Sequence, residues 1–533
     1  MIRAVNKEHK ENKMTTENQA VVTTKISTKL SEQVGIITID YAPVNALSQA
    51  VRAGLVNAID ALENNDDVKV IIICCEGRTF IAGADIKEFG KPPTAPFLPD
   101  VVNRIEACTK PVVASIFGTS LGGGFEVALA CHYRVSLNQA KVGLPEVNLG
   151  LIPGAGGTQR LMRIVGPEQA LDMITSGKHV MASQFADTEL FDLLVDYDLK
   201  KNTLDFAESL IAKRQLTPYR VGERAVNSTD FDWTQAKISV AKKARGKQAP
   251  LVAFDVLEKT QQLSIKDGMS YEREQFLILR DSEQSAALRH AFAAEKQAAK
   301  LSIDAQPAKV EFVGIIGGGN MGSGIATAFL SSGFKVQLIE QTNEALSAGL
   351  ERIKNNFIGN VKRGRMSQPQ VDGYLANLAG DTDYQTLAEC DLILEAVFEN
   401  IDVKKELFNK VEQVCKAEAV LSTNTSYLDI DDIANTMKRP EQLVGMHFFS
   451  PANIMKLLEV VQADKTSEVV IATAMSLGKK LRKISVLVGV CFGFAGNRMY
   501  TRYGREVQQM LLEGATVEQI DTALTDWGMA MGP

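Results

Sequence analysis

The chain has 533 residues, of which 45% are hydrophobic and 23% charged, and its formal net charge is −6. These are the proportions of an ordinary globular protein, which excludes wholesale disorder, a collagen-like repeat and a membrane bundle. At about 150 residues per domain, the length predicts roughly three and a half domains. A mildly acidic chain has no general attraction for nucleic acid, so we expect no nucleic-acid partner.

Cysteine and histidine usage narrows the class of protein further. Seven scattered cysteines, none in a Cys-x-x-Cys pair, and only five histidines indicate a reducing compartment and no metal site. Residues 1–18 are charged and lack the apolar stretch of a secretory signal, so they predict a flexible tail. The longest apolar run, 486–496, is shorter than the about 20 residues that cross a bilayer, and we expect no integral membrane segment.

Strand and helix patterns alternate in two blocks of the chain. In the first block, apolar runs predict strands at Val34–Ile39, Val68–Cys74 and Pro111–Phe117, with helices at Gln49–Leu62 and after Gly124 and Gly157. From about 204 to 301 the pattern is helical and charged. The second block has predicted strands at Glu311–Gly317, Lys335–Glu340, Asp391–Val397, Val420–Thr423 and Leu443–Met446, and the pattern becomes helical after Gly489. This alternation predicts an α/β fold.

Changes of pattern divide the chain into five predicted segments. These are the tail 1–18, an α/β domain with a helical extension over 19–280, a linker helix over 281–308, a second α/β domain over 309–488 and a helical segment over 489–533.

Two glutamates of the first block stand beside glycine-rich loops. Leu121-Gly-Gly-Gly-Phe-Glu126 leads from a predicted strand into a predicted helix, Glu126–Cys131, and Gly143-Leu-Pro-Glu146 follows twenty positions later. Bare backbone N–H groups at a helix start suit a developing oxyanion, and two carboxylates facing one cavity can act as a base and an acid. Either loop alone also fits a plain turn with a solvated glutamate.

Together these segments resemble the enoyl-CoA hydratase/isomerase (crotonase) family over about residues 20–215. The resemblance depends on the motifs Ala82-Gly-Ala-Asp-Ile, Leu121-Gly-Gly-Gly-Phe-Glu, Leu144-Pro-Glu146 and Pro153-Gly-Ala-Gly-Gly-Thr-Gln-Arg160. It implies a ββα spiral fold, Glu126 and Glu146 as the catalytic carboxylates, and an oxyanion hole made by the N–H groups of Ala84 and Gly123. We expect Glu146 to exchange a proton at C2 and Glu126 to activate the water jointly with it. The same carboxylates could also move a double bond from position 3 to position 2, as an isomerase does.

A dinucleotide-binding pattern opens the second block. The loop Gly317-Gly-Gly319-Asn-Met321-Gly322 lies between an apolar strand and a small-residue helix, and Glu340 ends the next strand. Glycines allow a tight turn and a close approach of pyrophosphate to a helix N-terminus, and an acidic residue at this distance accepts from the ribose hydroxyls. Because Glu340 would repel a 2′-phosphate, the sequence predicts NAD and not NADP. A glycine-rich turn without a ligand is the alternative.

His447 is predicted to follow a strand, with Glu459 twelve positions on. A lone histidine near aromatic residues is often packed in a core, but a carboxylate partner makes imidazole a better base. The surrounding segments resemble the L-3-hydroxyacyl-CoA dehydrogenase family over about 309–533. The resemblance implies that His447 is the base, that Glu459 orients it, and that Ser426 and Asn497 contact the substrate. It also implies the residues that line the cofactor: Glu340, Ala396, Glu399 and Lys404.

Both resemblances in this order are typical of the fused hydratase–dehydrogenase enzymes of fatty-acid β-oxidation. They imply an enzyme that hydrates 2-enoyl-CoA to (S)-3-hydroxyacyl-CoA and oxidises it with NAD to 3-oxoacyl-CoA, through a Rossmann-type domain and an all-α C-terminal domain. Few residues follow Asn497, so we expect the last domain to be incomplete, and activity of the hydratase half alone is the alternative. A non-catalytic acyl-CoA-binding scaffold would lack Glu126, Glu146 or His447, and all three are present.

The expected partners are acyl-CoA thioester substrates, with a thiolase left open, and the expected state is a monomer or small oligomer. The expected compartment is the cytoplasm in a bacterium or the peroxisome in a eukaryote, and we favour the cytoplasm.

Overall fold

The computed structural model describes residues 25–85, 88, 91–226, 230–363 and 366–533. The predicted tail, 1–18, lies outside these residues. The chain divides into two compact units, the first ending at His290 and the second beginning at Ala291. No described helix combines the length and the apolarity needed to cross a membrane.

The first unit is built on a six-stranded sheet, counted over the described residues. Its strands, in spatial order, are β1 (Lys25–Ser31), β2 (Val34–Asp40), β3 (Val70–Cys75), β4 (Val112–Ile116), β6 (Tyr133–Leu137) and β9 (Leu193–Val195). Only β1 and β2 pair antiparallel; the other neighbours are parallel. Continuous β-branched runs such as that of β3 belong in a parallel sheet covered on both faces.

A second sheet, of three strands among the described residues, contains the strands that precede the two predicted glutamates. It is formed by β5 (Thr119–Leu121), β7 (Lys141–Gly143) and β8 (Val180–Met181). A short 3₁₀ helix, Glu146–Leu149, follows β7. The helices of this part are α1 (Gln49–Glu63), α2 (Leu98–Glu106), α3 (Gly123–Ala130), α4 (Gly157–Ser176) and α5 (Leu199–Ala212). The helix α3 begins at Gly123 and not at Glu126 as predicted, which places Glu126 in its first turn.

The helical extension of the first unit contacts α4 through its second and third helices. It consists of α6 (Trp233–Ala244), α7 (Gln248–Thr260), α8 (Ile265–Arg280) and α9 (Glu283–Ala298). The helix α9 lies within the predicted linker segment, but its first turn is tied to the first unit. The buried Ser285 donates from Oγ to the carbonyl oxygen of Leu149 at 2.9 Å.

The second unit contains an eight-stranded sheet among the described residues. Its spatial order is β12 (Leu378–Asp381), β11 (Lys335–Ile339), β10 (Phe312–Ile316), β13 (Leu392–Glu395), β14 (Val420–Thr423), β15 (Leu443–Phe448), β16 (Leu457–Gln462) and β17 (Ile484–Gly489). Only β15 and β16 pair antiparallel. The helices are α10 (Asn320–Ser331), α11 (Asn343–Lys362), α12 (Gln368–Leu375), α13 (Ile401–Val414), α14 (Ile430–Ala434), α15 (Glu468–Lys480), α16 (Gly496–Leu512) and α17 (Val517–Trp527).

The predicted end of one strand was wrong. His447 lies within β15, which runs on to Phe448, whereas the sequence pattern ended that strand at Met446. The extension arises because β16 continues the pairing, with His447 opposite Glu459 and Phe448 opposite Leu458.

Candidate active sites

Glu126 is a buried carboxylate held by a glycine-rich loop. Its side chain is on the first turn of α3, and Oε1 accepts backbone N–H groups from Ala155 at 2.8 Å and from Gly157 at 2.9 Å. A Cβ on Gly157 would lie 2.9 Å from that oxygen, so this close approach requires glycine. Burial raises the pKa of Glu126, and the two amide bonds lower it in part.

Glu146 shares this buried region with Glu126. It opens the 3₁₀ helix after β7, and among the described residues its buried Oε2 has no hydrogen-bond partner. A Cβ on Gly122 would lie 3.0 Å from Oε1, which places the carboxyl against the turn that precedes α3. Burial first, and then the charge of Glu126, raises the pKa of Glu146 well above its ordinary value. Of the two carboxyls, Glu146 therefore holds a proton more readily than Glu126, whose Oε1 accepts two amide N–H groups.

The two predicted oxyanion donors lie close together. An atom at the Cβ position of Gly123 would be 3.9 Å from the backbone nitrogen of Ala84, and Leu47 bridges to Ala84. Gly123 is the first residue of α3, where backbone N–H groups have no partner within the helix. Among the described residues neither of these N–H groups has a hydrogen-bond partner. The structure thus brings together Ala84, Gly123, Glu126 and Glu146.

A third buried carboxylate, Glu272, was missed by the sequence analysis. It lies on α8, is fully buried, and accepts from the backbone N–H groups of Gly156 and Thr158 at 2.5 and 2.9 Å. Gly268, Glu272 and Phe276 are four residues apart and therefore lie on one face of the helix. A single charged residue between two uncharged ones on that face was the one sign of Glu272 in the sequence.

In the second unit, His447 is hydrogen-bonded on both ring nitrogens. Nδ1 is 2.7 Å from Oε2 of Glu459, and Nε2 is 3.2 Å from Oγ of Ser426. The rings of Phe449 and Phe494 lie 4.5 and 5.7 Å from the imidazole, centroid to centroid. The side chains of His447 and Glu459 are buried, so the imidazole is shielded from bulk water and held by a carboxylate.

Glu459 also contacts the start of α16. Its Oε1 accepts the backbone N–H groups of Ala495 at 3.0 Å and Gly496 at 2.7 Å. Although burial raises the pKa of Glu459, its hydrogen bonds with His447, Gly496 and Ala495 together lower it, which keeps the carboxylate ionised. Asn497 lies in the first turn of the same helix, and no hydrogen bond joins it to His447 or Ser426 among the described residues.

Glu399 holds the loop that carries Ser426. Its Oε1 accepts from Oγ1 of Thr425 at 2.6 Å and from the backbone nitrogen of Ser426 at 2.8 Å. The buried Lys404 lies between Glu399, at 3.3 Å, and Glu395, at 2.5 Å. Lys404 is thus placed against Glu399. Glu395, which the sequence analysis did not single out, is fully buried.

The glycine loop has the shape that a pyrophosphate requires. A Cβ on Gly322 would lie 1.8 Å from the carbonyl oxygen of Gly317, whereas a Cβ on Gly319 would meet nothing within 4 Å. Gly317 has φ +99° and its added Cβ would lie 2.7 Å from the carbonyl oxygen of Ala396. The tight turn therefore requires glycine at positions 317 and 322. Gly319 instead leaves open space at the N-terminus of α10.

Glu340 directly follows β11, and its side chain contacts the glycine loop. Its Oε1 accepts the N–H group of Gly318 at 2.6 Å. Met321, on the first turn of α10, packs against the apolar core of the unit and is only partly buried. The residues present fit a dinucleotide: open glycine backbone, a helix N-terminus and an acidic side chain one strand away.

Three family models match the chain. They are enoyl-CoA hydratase/isomerase over residues 29–243, the NAD-binding domain of 3-hydroxyacyl-CoA dehydrogenase over 312–491, and the C-terminal domain of 3-hydroxyacyl-CoA dehydrogenase over 493–533. These matches confirm the predicted fold class and its domain order, and they confirm NAD as the cofactor.

Curated relatives match almost the whole chain. The chain is 39% identical over 518 residues to the peroxisomal bifunctional enzyme of Danio rerio, covering 94% of this chain and 70% of that protein. It is 37% identical over 517 residues to the peroxisomal bifunctional enzyme of Homo sapiens, covering 95% and 71%. It is also 37% identical over 518 residues to the peroxisomal fatty acid beta-oxidation multifunctional protein MFP2 of Arabidopsis thaliana, covering 94% and 71%. The predicted incompleteness of the last domain stays a prediction.

Proposed function

The chain belongs to the family of fused enoyl-CoA hydratase and 3-hydroxyacyl-CoA dehydrogenase enzymes of fatty-acid β-oxidation, and we propose how its two sites divide the work. It hydrates 2-enoyl-CoA to 3-hydroxyacyl-CoA and oxidises that product with NAD to 3-oxoacyl-CoA. The product of the first reaction is the substrate of the second.

In the hydratase site, Glu126 activates water and Glu146 supplies the proton to C2. This division is supported by the environments of the two carboxyls. Glu126 accepts two amide N–H bonds, which favour the ionised form, whereas the buried Oε2 of Glu146 has no donor. A base and an acid that differ in this way can add water across a double bond in one site.

The N–H groups of Ala84 and Gly123 polarise the thioester carbonyl. Negative charge collects on that oxygen as water attacks C3, and donors placed beforehand stabilise it without reorganisation. The same carboxylates could shift a double bond from position 3 to position 2, because that reaction needs only proton removal and return. Isomerase activity of this kind is part of the proposal.

In the dehydrogenase site, His447 removes the proton of the 3-hydroxyl group. The hydrogen bond from its Nδ1 to Glu459 leaves Nε2 to face the substrate, and Glu459 stabilises the charged imidazolium that forms. Ser426, 3.2 Å from Nε2, is placed to share the hydroxyl of the substrate. Asn497 is proposed as a further substrate contact.

NAD, when bound, accepts the hydride from C3. The glycine loop 317–322 and Glu340 are proposed to hold its pyrophosphate and adenosine ribose, and Ala396 and Glu399 its nicotinamide end. Lys404 is proposed to act on that end through its ion pair with Glu399. One observation carries the whole proposal. The first unit holds the carboxyl pair Glu126 and Glu146, and the second unit holds both the His447–Glu459 pair and the dinucleotide loop 317–322.

A single assay tests both activities. Crotonyl-CoA with NAD should yield NADH only if hydration and oxidation both occur, and 3-hydroxybutyryl-CoA with NAD tests the second step alone. NADH from the hydroxy substrate but not from crotonyl-CoA would remove the hydratase assignment. Loss of water addition and of NADH formation together would contradict the proposal.

Partners and compartment are also proposals. The 3-oxoacyl-CoA product is a substrate for thiolysis, so a thiolase is the partner to test, by co-purification, and the proposed state is a monomer or small oligomer. The named relatives are peroxisomal. The proposed compartment is the cytoplasm in a bacterium or the peroxisome in a eukaryote, with the cytoplasm favoured. Fluorescence of a tagged chain in its own cells would decide.

A further inference from the structure

Glu272 belongs to a helix outside the matched hydratase/isomerase segment. That segment ends at residue 243, whereas α8 spans Ile265–Arg280. Glu272 has no exposed surface. Because a buried carboxylate without partners is costly, its surroundings must supply hydrogen-bond donors.

The donors come from the loop that also holds Glu126. Four consecutive backbone N–H groups alternate between two carboxylates: those of Ala155 and Gly157 bind Glu126, and those of Gly156 and Thr158 bind Glu272. The peptide groups that bind Glu126 and those that bind Glu272 are therefore direct neighbours, and each carboxylate restrains the donors of the other. The conformation of this strip, residues 155–158, cannot change at one carboxylate without changing at both.

The hydroxyl of Thr158 adds a further bond in the same direction. Its Oγ1 accepts from Nε2 of Gln159 at 3.0 Å, which turns its own proton towards Oε2 of Glu272. Glu272 thus faces two amide donors and one hydroxyl donor, and each of these hydrogen bonds favours its ionised form over its protonated form.

The helix α8 also packs directly on the loop. A Cβ on Gly154 would lie 2.7 Å from the ring of Phe276, one turn along α8 from Glu272. A Cβ on Gly268, one turn the other way, would lie 2.0 Å from Oε1 of Gln159. Both close approaches show that the face of α8 that carries Glu272 packs against the loop around residues 154–159.

We propose that Glu272 is a positioning residue of the hydratase site: it holds the strip 155–158 in the conformation in which two N–H groups bind and orient Glu126. The helical extension thereby completes a site whose motifs all lie before it in the sequence. This inference rests on the proposed hydratase roles of Glu126 and Glu146.

The charges around Glu272 give the proposal a second consequence. Among the described residues, three titratable groups face it: Glu126 carries the same sign, the protonated Glu146 carries no charge, and Arg273, its neighbour on α8, carries the opposite sign. Burial, and then the charge of Glu126, raises the pKa of Glu272 to about 8, against the three hydrogen bonds that lower it. The charge of Glu272 in turn contributes to the raised pKa of Glu146.

Hydration of crotonyl-CoA by the full chain and its Glu272→Gln variant tests the inference. An amide places its NH₂ group against one set of donors, so the strip should shift and kcat should fall about 10-fold to 100-fold, with KM for crotonyl-CoA little changed. The alkaline limb of the pH–rate profile should move to lower pH, because Glu272 is ionised above about pH 8 and its replacement removes that negative charge from beside Glu146. Oxidation of 3-hydroxybutyryl-CoA with NAD should be unchanged.

Glu274→Gln is the matched control, since it removes the same charge from an exposed position of α8. If Glu272→Gln does not fold, Glu272→Asp decides: it keeps the charge but shortens the reach, so kcat should fall while the alkaline limb stays where it is in the parent. Wild-type kcat in either Glu272 variant, or a lower kcat in Glu272→Gln with an unmoved alkaline limb, would overturn the inference. Absence of hydration in the parent chain would instead contradict the proposed function.

Discussion

His447 and Glu459 occupy opposite positions of an antiparallel strand pair, so the 2.7 Å between Nδ1 and Oε2 is set by the register of the sheet. Backbone hydrogen bonds on both sides of the pair hold this distance. A slip of one residue would turn each side chain to the other face of the sheet.

Glu459→Gln should therefore impair oxidation without disturbing the fold. The amide keeps the shape and part of the hydrogen bonding but cannot stabilise an imidazolium, so kcat for 3-hydroxybutyryl-CoA oxidation should fall about 100-fold or more. NADH formation measures this, and Glu468→Gln on the exposed start of α15 is the control. Oxidation at the parent rate would show that Glu459 has no part in the reaction.

Glu146→Gln should abolish hydration and leave oxidation intact. General acid catalysis contributes about 10²-fold to 10⁴-fold, and a neutral amide cannot donate a proton to C2. Since the buried Oε2 has no donor, no hydrogen bond is broken there and the melting temperature should stay close to that of the parent. His447→Gln should show the reverse pattern, and if either variant lost both activities the two sites would not be independent.

The hydration rate should fall on the alkaline side as Glu146 loses its proton. Its folded pKa lies well above the ordinary value, so the protonated, active form persists beyond the usual range of a glutamate and disappears as the pH rises past the raised pKa. On the acid side the rate should fall as Glu126 gains a proton. The measurement is kcat/KM against pH, with circular dichroism at each pH as the control for unfolding. A rate still rising until the protein unfolds would assign the opposite protonation state to Glu146.

Two alanine substitutions should separate the turn from the cofactor space. Gly322→Ala would set a Cβ 1.8 Å from the carbonyl oxygen of Gly317, and should lower the free energy of unfolding by about 1–3 kcal/mol. Gly319→Ala meets no atom within 4 Å, so its stability should be unchanged while its KM for NAD rises about tenfold. Urea unfolding and NADH formation measure the two effects. Unchanged NAD affinity in Gly319→Ala would place the pyrophosphate elsewhere.

Candidate site residues that sit beside local motifs could be predicted from the sequence, whereas those whose setting depends on tertiary packing could not. Glu126 and Glu146 each follow a glycine-containing turn, and the loop 317–322 lies between a strand and a helix, so their placement follows from local geometry. Glu272 is on an otherwise charged helix, and only the seating of α8 on the strip 155–158 reveals its donors. The prediction also ended β15 too early, because the pairing that extends it comes from β16.

Glu459 shares its two oxygens between elements that are far apart in sequence. One oxygen binds His447, and the other takes the N–H groups of Ala495 and Gly496, where α16 begins. Any movement of α16 away from the sheet would withdraw two donors from the carboxylate and leave more of its negative charge for the imidazole. The charge that Glu459 presents to His447 is therefore mechanically coupled to the seating of α16, and a substrate that shifts this helix would also change how the carboxylate holds the imidazole.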